Sequence, residues 1–349
     1  MTEAVSPHFD ILWANDISSK KADVYRCNHG SAHFHLGSVE EVRGHELPKA
    51  DLAWASFPCQ DLSLAGNQTG IQGKRSGMVW EWLRVIDEMP EPPPVLVAEN
   101  VLGLVSGAGG SYYQALHLEL VARGYTVGAL VLDAVDFVPQ SRPRVFVIAV
   151  RSDLDVSHWT TPLPGWSHRD SIIRVAEGLP NWVYWKIPQP PLRTKILDDV
   201  LEWDAPTHNE ERAKKTLSLI APLHQTRLLQ ELTNGFTAAP GYRRTRNGTQ
   251  VLELRFDGIA GCLRTPEGGS SRQFIVLKRD GKLTTRLLTA REAARLMGLP
   301  EHYKLPVNYN DAYKAMGDAV VVPAVRHLAK TLLSPLCKLA RASQPLVTT

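Results

Sequence analysis

Cysteine is scarce in this chain. Only four of the 349 residues are cysteines (Cys27, Cys59, Cys262 and Cys337), and no two of them form a Cys-x-x-Cys pair. Disulfide-stabilised secreted domains are rich in cysteine, and structural zinc sites use closely spaced pairs. The sequence therefore excludes a disulfide framework and a cysteine zinc site, and each cysteine needs its own explanation.

Long apolar runs and a signal sequence are also lacking. The N-terminus has no succession of basic, apolar and small residues, and no apolar run reaches the roughly 18 residues of a membrane span. These absences predict a soluble, cytoplasmic protein with reduced thiols. The length favours about two domains, and 44% hydrophobic with 21% charged residues is an ordinary globular composition.

Net charge is only +3 over the whole chain, but one segment is distinctly basic. Between Tyr242 and Arg295 there are 12 Lys and Arg residues against 5 Asp and Glu, and the segment opens with "YRRTRNG" (242–248). A basic segment suits the DNA backbone, which carries one negative charge per about 1.7 Å of duplex axis. A solvated charged face explains the same residues equally well, so the composition leaves both interpretations open.

Short apolar runs alternate with helical patterns over the first 150 residues. Strands are predicted at 9–16, 50–57, 94–100, 125–134 and 144–150, and helices at 20–30, 76–89 and 111–125. This alternation predicts an α/β fold with a doubly wound, mostly parallel sheet covered on both faces. Ligands of such sheets bind at the carboxyl ends of the strands. Cys59 and Glu99 stand at two of these predicted ends.

Four short stretches lie in order along the chain: "PCQDLS" (58–63), "AENVLGL" (98–104), "PQSRPRVFVIAV" (139–150) and "GDAVVVPAVRHLA" (317–329). Each has a structural explanation by itself, as a core cysteine, a helix cap or a solvated strand edge. In this order and spacing they resemble the Pro-Cys-Gln, Glu-Asn-Val, Gln-x-Arg-x-Arg and Gly-Asn-Ala-Val signatures of the carbon-5 cytosine DNA methyltransferases. The stretch "RLLTAREAARLMGLP" (286–300) is similar to that family's penultimate motif.

The resemblance implies an S-adenosylmethionine-dependent methyltransferase fold whose first strand is missing or incomplete. It implies a catalytic domain at 1–150, where strands and helices alternate. Residues 151–240 lose this alternation and accumulate proline and tryptophan, so we predict a smaller, irregular target-recognition domain and the motif that follows it at 151–300. A C-terminal helix within 301–349 is expected to return to the catalytic domain.

The residues suit the reaction that the resemblance implies, which is methyl transfer to carbon-5 of a cytosine flipped out of duplex DNA. Carbon-5 is not nucleophilic until a thiolate adds at carbon-6, and Cys59 has the soft nucleophile that this step requires. A protonated carboxylic acid near ring nitrogen-3 can take the charge that builds on the ring, and the resemblance implies this role for Glu99. Arg142 and Arg144, two apart on one predicted strand, are expected to share a face and to hold the cytosine carbonyl and a phosphate.

The resemblance breaks at the N-terminus. Family members usually begin with a strand ending in Phe-x-Gly-x-Gly, but "FDILWANDIS" (9–18) already looks like their second motif, and eight residues before Phe9 are too few for a strand, a glycine loop and a helix. Ser38 stands where the family commonly has an aspartate for the adenine amino group. The residues that the resemblance implies for S-adenosylmethionine binding are Asp16, Ile17, Ser38, Pro58, Asn100, Asp318 and Ala319.

Four explanations of the missing loop stay open. The stretch "SGAGGSYYQAL" (106–116) replaces it, a coding frame upstream of Met1 supplies it, a second polypeptide supplies it, or the chain is a non-catalytic relative that only binds DNA. In a parallel sheet the first strand normally lies at the centre, so its loss should expose two apolar strand edges. We therefore expect the chain as given to bind the cofactor weakly or not at all.

The expected partner is double-stranded DNA, modified as part of a restriction–modification or host-modification system. The variable region corresponds to the family's target-recognition domain, and "GCLRTPEGGSSRQ" (261–273) has the glycines, serines and arginines of a groove-contacting loop. The predicted DNA contacts are Gln140, Arg243, Arg244, Arg246, Ser270, Ser271 and Arg272. The histidines of "HGSAHFH" (29–35) lack a nearby carboxylate or cysteine, so we interpret them as a surface turn and expect no metal.

Overall fold

The structure is a computed structural model that describes residues 1–57, 77–265 and 272–343. It divides into two compact units. The sheet unit comprises Thr2–Leu132, Pro143–Pro190 and Val325–Thr349, and the insert unit comprises Asp133–Arg142 and Pro191–Ala324 together with Met1.

The strands are β1 (Ala14–Asp16), β2 (Phe34–Leu36), β3 (Leu52–Ser56), β4 (Val95–Asn100), β5 (Tyr125–Asp133), β6 (Pro143–Arg151), β7 (Thr160–Thr161), β8 (Tyr184–Trp185), β9 (Ala238–Arg246), β10 (Thr249–Leu254), β11 (Gln273–Arg279) and β12 (Lys282–Leu287). The helices are α1 (Thr2–Val5), α2 (Ser19–His29), α3 (Met78–Glu88), α4 (Gly103–Ser106), α5 (Ser111–Ala122), α6 (Asp170–Ala176), α7 (Glu210–Leu217), α8 (Pro222–Thr233), α9 (Ala290–Leu296), α10 (Tyr309–Asp318), α11 (Val322–Leu328) and α12 (Ser334–Ala342).

The main sheet of the sheet unit has the strand order β3-β4-β6-β5. Strand β4 pairs in parallel with β3 and antiparallel with β6, and all six of its residues are buried, as its continuous apolar run predicts. The strands predicted at 50–57, 94–100, 125–134 and 144–150 are confirmed to within one or two residues. The one predicted at 9–16 is confirmed only as the short β1.

Helix α3 shows how the sheet is covered. Its apolar residues recur every three or four positions and are buried against the sheet, whereas Glu81 and Glu88 face Arg84 at the surface. The core formed on this side of the sheet contains side chains from α3, α4, α5 and α6, with Tyr113 and Leu116 among those fully buried. Periodicity and burial agree here, so the helix prediction is confirmed.

The parallel strands of the sheet unit do not form one continuous sheet. Among the described residues, strands β1 and β2 pair with each other as a separate two-stranded sheet, and β3 is paired along one edge, with β4. Every residue of β1 is half-buried, as are Leu52, Ala53, Trp54 and Ala55 of β3, in contrast to the buried β4. The expected pair of incompletely covered strand edges is therefore present in the described residues.

The C-terminal helices end beside the start of β3. Arg341 of α12 donates to the Asp51 carboxylate at 2.5 Å, and the Cys337 thiol lies 3.6 Å from the Asp51 carbonyl oxygen. By length and composition the helical stretch Tyr309–Ala342 could cross a membrane, but 61% of its most apolar window is buried inside the protein. Burial of this extent is typical of a core helix of a soluble protein.

The boundary between the units does not fall at residue 150. Residues 151–190 stay with the sheet unit because Trp185 is fully buried there and donates from its indole nitrogen to the Ile148 carbonyl oxygen at 3.1 Å. A Cβ on Gly128 of β5 would lie 2.2 Å from the Val183 carbonyl oxygen and 2.7 Å from the Trp185 indole nitrogen, so glycine is needed for this approach. Packing of Trp185, and of α6 in the core on the sheet, thus keeps the 40 residues from 151 to 190 with the sheet unit.

The insert unit is more regular than the irregular domain predicted from composition. It contains a four-stranded antiparallel sheet in the order β10-β9-β11-β12. Two of its hairpins turn at Asn247-Gly248 and Asp280-Gly281, where all four residues have positive φ. Such pairs favour tight hairpin turns whose twist matches the strands.

Candidate active site

One face of the main sheet carries a carboxylate and a guanidinium at the carboxyl end of β4. Glu99 lies opposite Ser56 of β3 and Phe146 of β6, so the three side chains share this face. Arg144, two residues before Phe146, also points to it, and its Nε lies 3.2 Å from Glu99 Oε1. Glu99 is only 7% exposed. The ion pair holds the carboxylate in one orientation at the end of the sheet where ligands of this architecture bind.

The backbone that leads to the Pro-Cys-Gln motif is tied to β4. Asn100 Nδ2 donates to the Phe57 carbonyl oxygen at 3.4 Å, and Asn100 Oδ1 accepts from the Val101 N–H at 2.8 Å. Pro58 and Cys59 themselves lie outside the described residues. The structure thus gives Asn100, predicted as a cofactor contact, a local role in fixing the residue just before the motif.

Trp54 and Ser56 belong to the same face and were missed from the sequence. The Trp54 indole nitrogen donates to Ser56 Oγ at 3.0 Å, and the Trp54 ring lies edge-on to Phe146 with centroids 5.8 Å apart. The alternation of side chains along β3 is the signal that could have placed both of them beside Glu99. Together they form an aromatic wall with one exposed hydroxyl group next to the carboxylate.

The predicted pairing of Arg142 with Arg144 on one strand is wrong. Strand β6 begins at Pro143, and Arg142 belongs to the insert unit. Its guanidinium donates to the carbonyl oxygens of Leu263, Gly317 and Ala319 at 2.7–2.8 Å, and Arg142 is 3% exposed. A guanidinium engaged in this way fixes backbone rather than holding a base, so Arg142 is a positioning residue in this structure.

Gln140 is likewise occupied inside the insert unit. It is fully buried, its Nε2 donates to the Leu296 carbonyl oxygen at 2.7 Å, and its Oε1 accepts from the Leu263 N–H at 3.0 Å. This geometry contradicts the predicted DNA contact, because neither end of the amide is accessible. Sequence alone could not distinguish a buried glutamine from one that reads a base.

The predicted cofactor residues divide between the two units. Asp16 ends β1, with its Oδ1 accepting from the Ser18 N–H at 2.8 Å, and the neighbouring Ile17 side chain is 74% exposed. A carboxylate beside an exposed apolar side chain at the carboxyl end of a parallel strand suits a ribose hydroxyl and an adjoining ring. Asp318 and Ala319 belong to the insert unit, where Asp318 accepts from the Thr265 hydroxyl group and Ala319 from Arg142.

Ser38 has a structural role, and a carboxylate lies beside it. Its hydroxyl group accepts from the Glu40 N–H at the start of a short 3-10 turn and donates to Glu40 Oε2 at 3.1 Å. The family resemblance implies an aspartate at position 38, and here Glu40 brings a carboxylate next to that position. Glu40 could not be predicted from the motif because it stands two positions beyond the place of the family's aspartate.

The predicted DNA-contacting arginines of β9 do not lie on one face. Arg243 points toward the core of the insert unit, with its guanidinium carbon 4.7 Å from the Phe274 ring centroid, whereas Arg244 and Arg246 alternate to the other face. Arg246 pairs with Glu253 at 2.6 Å, and Arg272 donates to Asn310 at 2.5 Å. Ser270 and Ser271 lie outside the described residues.

Two other stretches singled out from the sequence have structural explanations. In the "SGAGG" stretch, Gly110 has a φ of +92°, and a Cβ there would lie 2.4 Å from a Val175 methyl group, so this glycine serves helix packing. His33 Nε2 lies 2.7 Å from the Tyr25 hydroxyl group. Across the described ranges, no three His, Cys, Asp or Glu side chains cluster as metal ligands.

Comparison with known proteins identifies one family. The profile described as C-5 cytosine-specific DNA methylase matches residues 2–334. The Type II methyltransferase M.HhaI of Haemophilus parahaemolyticus is 25% identical over 328 residues, which cover 94% of this chain and 88% of that protein. The Type II methyltransferase M.FnuDI of Fusobacterium nucleatum is 26% identical over 331 residues, which cover 94% and 89%. Alignments over this much of the chain give no support to a second polypeptide that completes it.

Solved structures show the same architecture. The Dnmt2 methyltransferase of S. pombe is similar with a TM-score of 0.57 at 20% identity, over 96% of this chain and 95% of that one. A putative DNA modification methyltransferase encoded within an E. coli prophage is similar with a TM-score of 0.55 at 17% identity, over 97% and 95%. At these identities the likeness shows the fold, a methyltransferase sheet with a smaller separate domain.

Proposed function

The chain belongs to the C-5 cytosine-specific DNA methylase family and is a DNA cytosine-5 methyltransferase, and from this premise we propose that Cys59 is its covalent nucleophile, with Glu99 and Arg144 beside the cytosine ring. The observation that carries the proposal is the Glu99–Arg144 pair, 3.2 Å apart and largely buried, at the carboxyl end of β4. Phe57, tied to β4 through Asn100, precedes Cys59 by two residues. Two residues of chain span at most about 7 Å.

Each side chain has a separate task in this proposal. The Cys59 thiolate adds to carbon-6 of a flipped cytosine, and the ring electrons move so that carbon-5 becomes nucleophilic. Glu99, protonated from solvent once the flipped base is bound, gives that proton to ring nitrogen-3, which neutralises the charge that builds on the ring. Arg144 keeps the Glu99 carboxyl group pointed at the ring through its guanidinium. Once carbon-5 carries the methyl group, loss of its proton to water lets the thiolate leave, the proton on ring nitrogen-3 returns to Glu99, and the aromatic ring is restored.

S-adenosylmethionine is the methyl donor that the family implies, and we propose that Asp16, Ile17 and Glu40 bind it in this chain. When bound, it supplies the electrophilic methyl group. Asp16 would accept from the ribose hydroxyl groups, the exposed Ile17 would pack on the purine, and Glu40 would accept from the purine amino group in place of the family's aspartate at position 38. The positions of Asp16 and Ile17 at the end of β1, and of Glu40 in the short 3-10 turn that follows β2, support this assignment.

Calorimetry of S-adenosylhomocysteine binding tests the Glu40 assignment. Glu40→Gln keeps the shape of the side chain but replaces one carboxylate oxygen with an amide donor. Binding should weaken by about tenfold, because one charged hydrogen bond to the purine amino group is lost. Glu41→Gln, in the same turn, is the matched control and should leave the dissociation constant unchanged. Equal affinities for the Glu40→Gln variant and the wild type would remove Glu40 from the site.

The proposed substrate is double-stranded DNA, and the proposed setting is a cytoplasmic restriction–modification system, as in the Type II relatives. A methyl-transfer assay with tritiated cofactor tests the activity. Cys59→Ser should reduce transfer by orders of magnitude while DNA binding persists, because a hydroxyl group is a far weaker nucleophile at neutral pH.

The second candidate function is DNA binding without catalysis. The break between the β1-β2 sheet and the β3 edge favours it, because a cofactor site at this point of the sheet has one strand fewer to support it. A protein that binds DNA but gives no transfer even at millimolar cofactor would support this candidate.

A further inference from the structure

The basic segment from Tyr242 to Arg295 owes most of its charge to side chains that already have structural partners. Four of its arginines form ion pairs: Arg246 with Glu253, Arg255 with Asp257, Arg286 with Glu292 and Arg295 with Glu301. Three others donate to groups of the same unit: Arg272 to Asn310, Arg279 to Trp203 and Arg291 to Pro300 and Tyr303. Arg243 packs on Phe274. The local charge excess therefore overstates the number of cations available to DNA.

Four cations of the segment have no ion pair or hydrogen bond with any residue that the structure describes. They are Arg244, Arg264, Lys278 and Lys282. Lys278 and Lys282 lie beside the turn of the β11–β12 hairpin, and both side chains are exposed. The two arginines instead lie around one buried side chain, Tyr242.

Tyr242 links the two arginines. The Arg244 guanidinium carbon lies 4.9 Å from the centroid of the Tyr242 ring. The Tyr242 hydroxyl group donates to the Cys262 carbonyl oxygen at 2.6 Å, two residues before Arg264. Arg264 is near enough to act electrostatically on the phenol. Nearby Glu253 is already bound by Arg246 at 2.6 Å, so neither guanidinium has an ion pair with a carboxylate among the described residues.

The backbone on both sides of Arg264 is fixed by buried groups. The Leu263 N–H donates to Gln140, the Leu263 carbonyl oxygen accepts from Arg142 at 2.7 Å, and the Thr265 hydroxyl group donates to Asp318. Gly317 lets the helix α10 backbone approach so closely that a Cβ there would lie 2.7 Å from the Arg264 carbonyl carbon. Arg264 itself is exposed. An exposed cation on a backbone held at each neighbouring residue is preorganised for a ligand, which lowers the entropy cost of binding.

We propose that Arg244 and Arg264 form a phosphate clasp of the insert unit for the DNA backbone, with Gln140, Arg142 and Tyr242 as its positioning residues. The planar guanidinium presents paired N–H donors that match phosphate oxygens. This proposal rests on the proposed function for its ligand, DNA. It also explains why the first two members of the Gln-x-Arg-x-Arg stretch are buried, since they hold the backbone that carries Arg264.

Salt-dependent binding to a fluorescein-labelled 24-base-pair duplex tests the clasp. Arg244→Gln and Arg264→Gln should each lower the slope of log K against log salt concentration by about 0.9, and the double variant by about 1.8. The ratio of the wild-type association constant to that of each single variant should then fall about 3- to 4-fold between 50 and 200 mM salt. Arg255→Gln, an arginine of the same segment that is paired with Asp257, is the matched control and should keep the wild-type slope.

A wild-type slope for Arg264→Gln, or an equal loss in Arg255→Gln, would overturn the clasp while leaving the proposed function intact. Absence of salt-dependent DNA binding by the wild type would overturn the proposed function together with the clasp. Circular dichroism and urea unfolding of each variant separate a lost contact from a lost fold. Arg244 and Arg264 make no buried hydrogen bond with the described residues, so their variants should fold.

Discussion

At the scale of single residues, Arg142 and Arg144 of the Gln-x-Arg-x-Arg stretch have different roles because they lie on either side of the start of β6. Arg144 lies in β6 and turns its guanidinium toward Glu99, whereas Arg142 precedes the strand and binds three backbone carbonyl oxygens. The residue types were predictable from the motif, because the chemistry needs a carboxylic acid and a cation near the base. Their separate roles were not, because the local sequence does not show that β6 begins at Pro143, directly after Arg142.

His168 provides a test of the folded core of the sheet unit. Burial lowers the pKa of His168 to about 4, and its Nδ1 accepts from the Gly165 N–H at 2.9 Å, which requires an unprotonated Nδ1. The folded pKa lies below the unfolded value of about 6.5. Neutral His168 therefore makes its full contribution to the free energy of unfolding above about pH 6.5. As the pH falls toward 4, this contribution is lost by at most about 1.4 kcal/mol per pH unit.

Urea unfolding between pH 4.5 and 7.5 measures this dependence. His168→Asn keeps an acceptor near the position of Nδ1 but does not titrate, so its free energy of unfolding should vary less with pH than that of the wild type. His158→Asn, at an exposed histidine of the same unit, is the control and should retain the wild-type dependence. Parallel pH curves for His168→Asn and the wild type would contradict the assignment.

At the scale of elements, strand β9 shows what alternation does to a run of basic residues. Arg243 and Arg244 are adjacent in sequence but point to opposite faces, one onto Phe274 in the core and the other onto Tyr242. A run of arginines in a sequence predicts a basic surface only if the strand or helix that carries it is known. Here it was not, because the sheet of the insert unit was not predicted.

Arg243→Ala should therefore act on stability rather than on DNA binding. Removing the side chain takes away its stem and guanidinium from the Phe274 ring, which should lower the free energy of unfolding by about 1–2 kcal/mol. The slope of DNA binding against salt should stay that of the wild type. Urea unfolding and the anisotropy assay check the two parts, and a reduced salt slope with unchanged stability would show that Arg243 faces DNA instead.

The hairpins of the insert unit were present in the sequence as turn signals. "RNGT" (246–249) and "RDGK" (279–282) are the Asn-Gly and Asp-Gly pairs that favour two-residue hairpin loops, and both turns form. The strands beside them were obscured because proline, glycine and arginine interrupt the usual run of branched and aromatic residues in β9. Strands β4, β5 and β6 of the main sheet were predictable because they are largely buried on both faces and read as continuous apolar runs.

The break in the parallel sheet leads to a prediction about how tightly the chain binds S-adenosylmethionine. Strands β1 and β3 each have one edge without a partner in the described residues, and Asp16 and Ser56 stand at their ends. A glycine loop would add two or three backbone hydrogen bonds at this point, each worth about 1 kcal/mol. The chain as given should then bind S-adenosylmethionine about 100-fold more weakly than a version with roughly 15–20 added residues of strand, glycine loop and helix.

Calorimetry of the two proteins measures the difference. Comparable tight binding by both would show that the site is complete within the 349 residues, and the "SGAGG" stretch would then be the first place to mutate. No binding by either would favour the non-catalytic candidate.

At the scale of the whole molecule, the Gln-x-Arg-x-Arg stretch crosses from one unit to the other. Gln140 and Arg142 belong to the insert unit, and Arg144 belongs to the sheet unit. The sequence predicted two parts but placed the boundary after residue 150, because composition records where proline and tryptophan accumulate rather than what they pack against. The family, and with it the reaction, followed from the order and spacing of the four motifs, which depend on chemistry more than on packing.

The account depends above all on Cys59, and a trapped adduct tests it most directly. A duplex that carries 5-fluorocytosine at the target position retains the covalent bond to the enzyme, because fluorine cannot leave as the carbon-5 proton does. At saturating S-adenosylmethionine, the wild type should give a protein–DNA adduct that survives a denaturing gel, and Cys59→Ser should give none while still binding the same duplex. An equal yield of adduct from both proteins, or none from the wild type, would contradict the account.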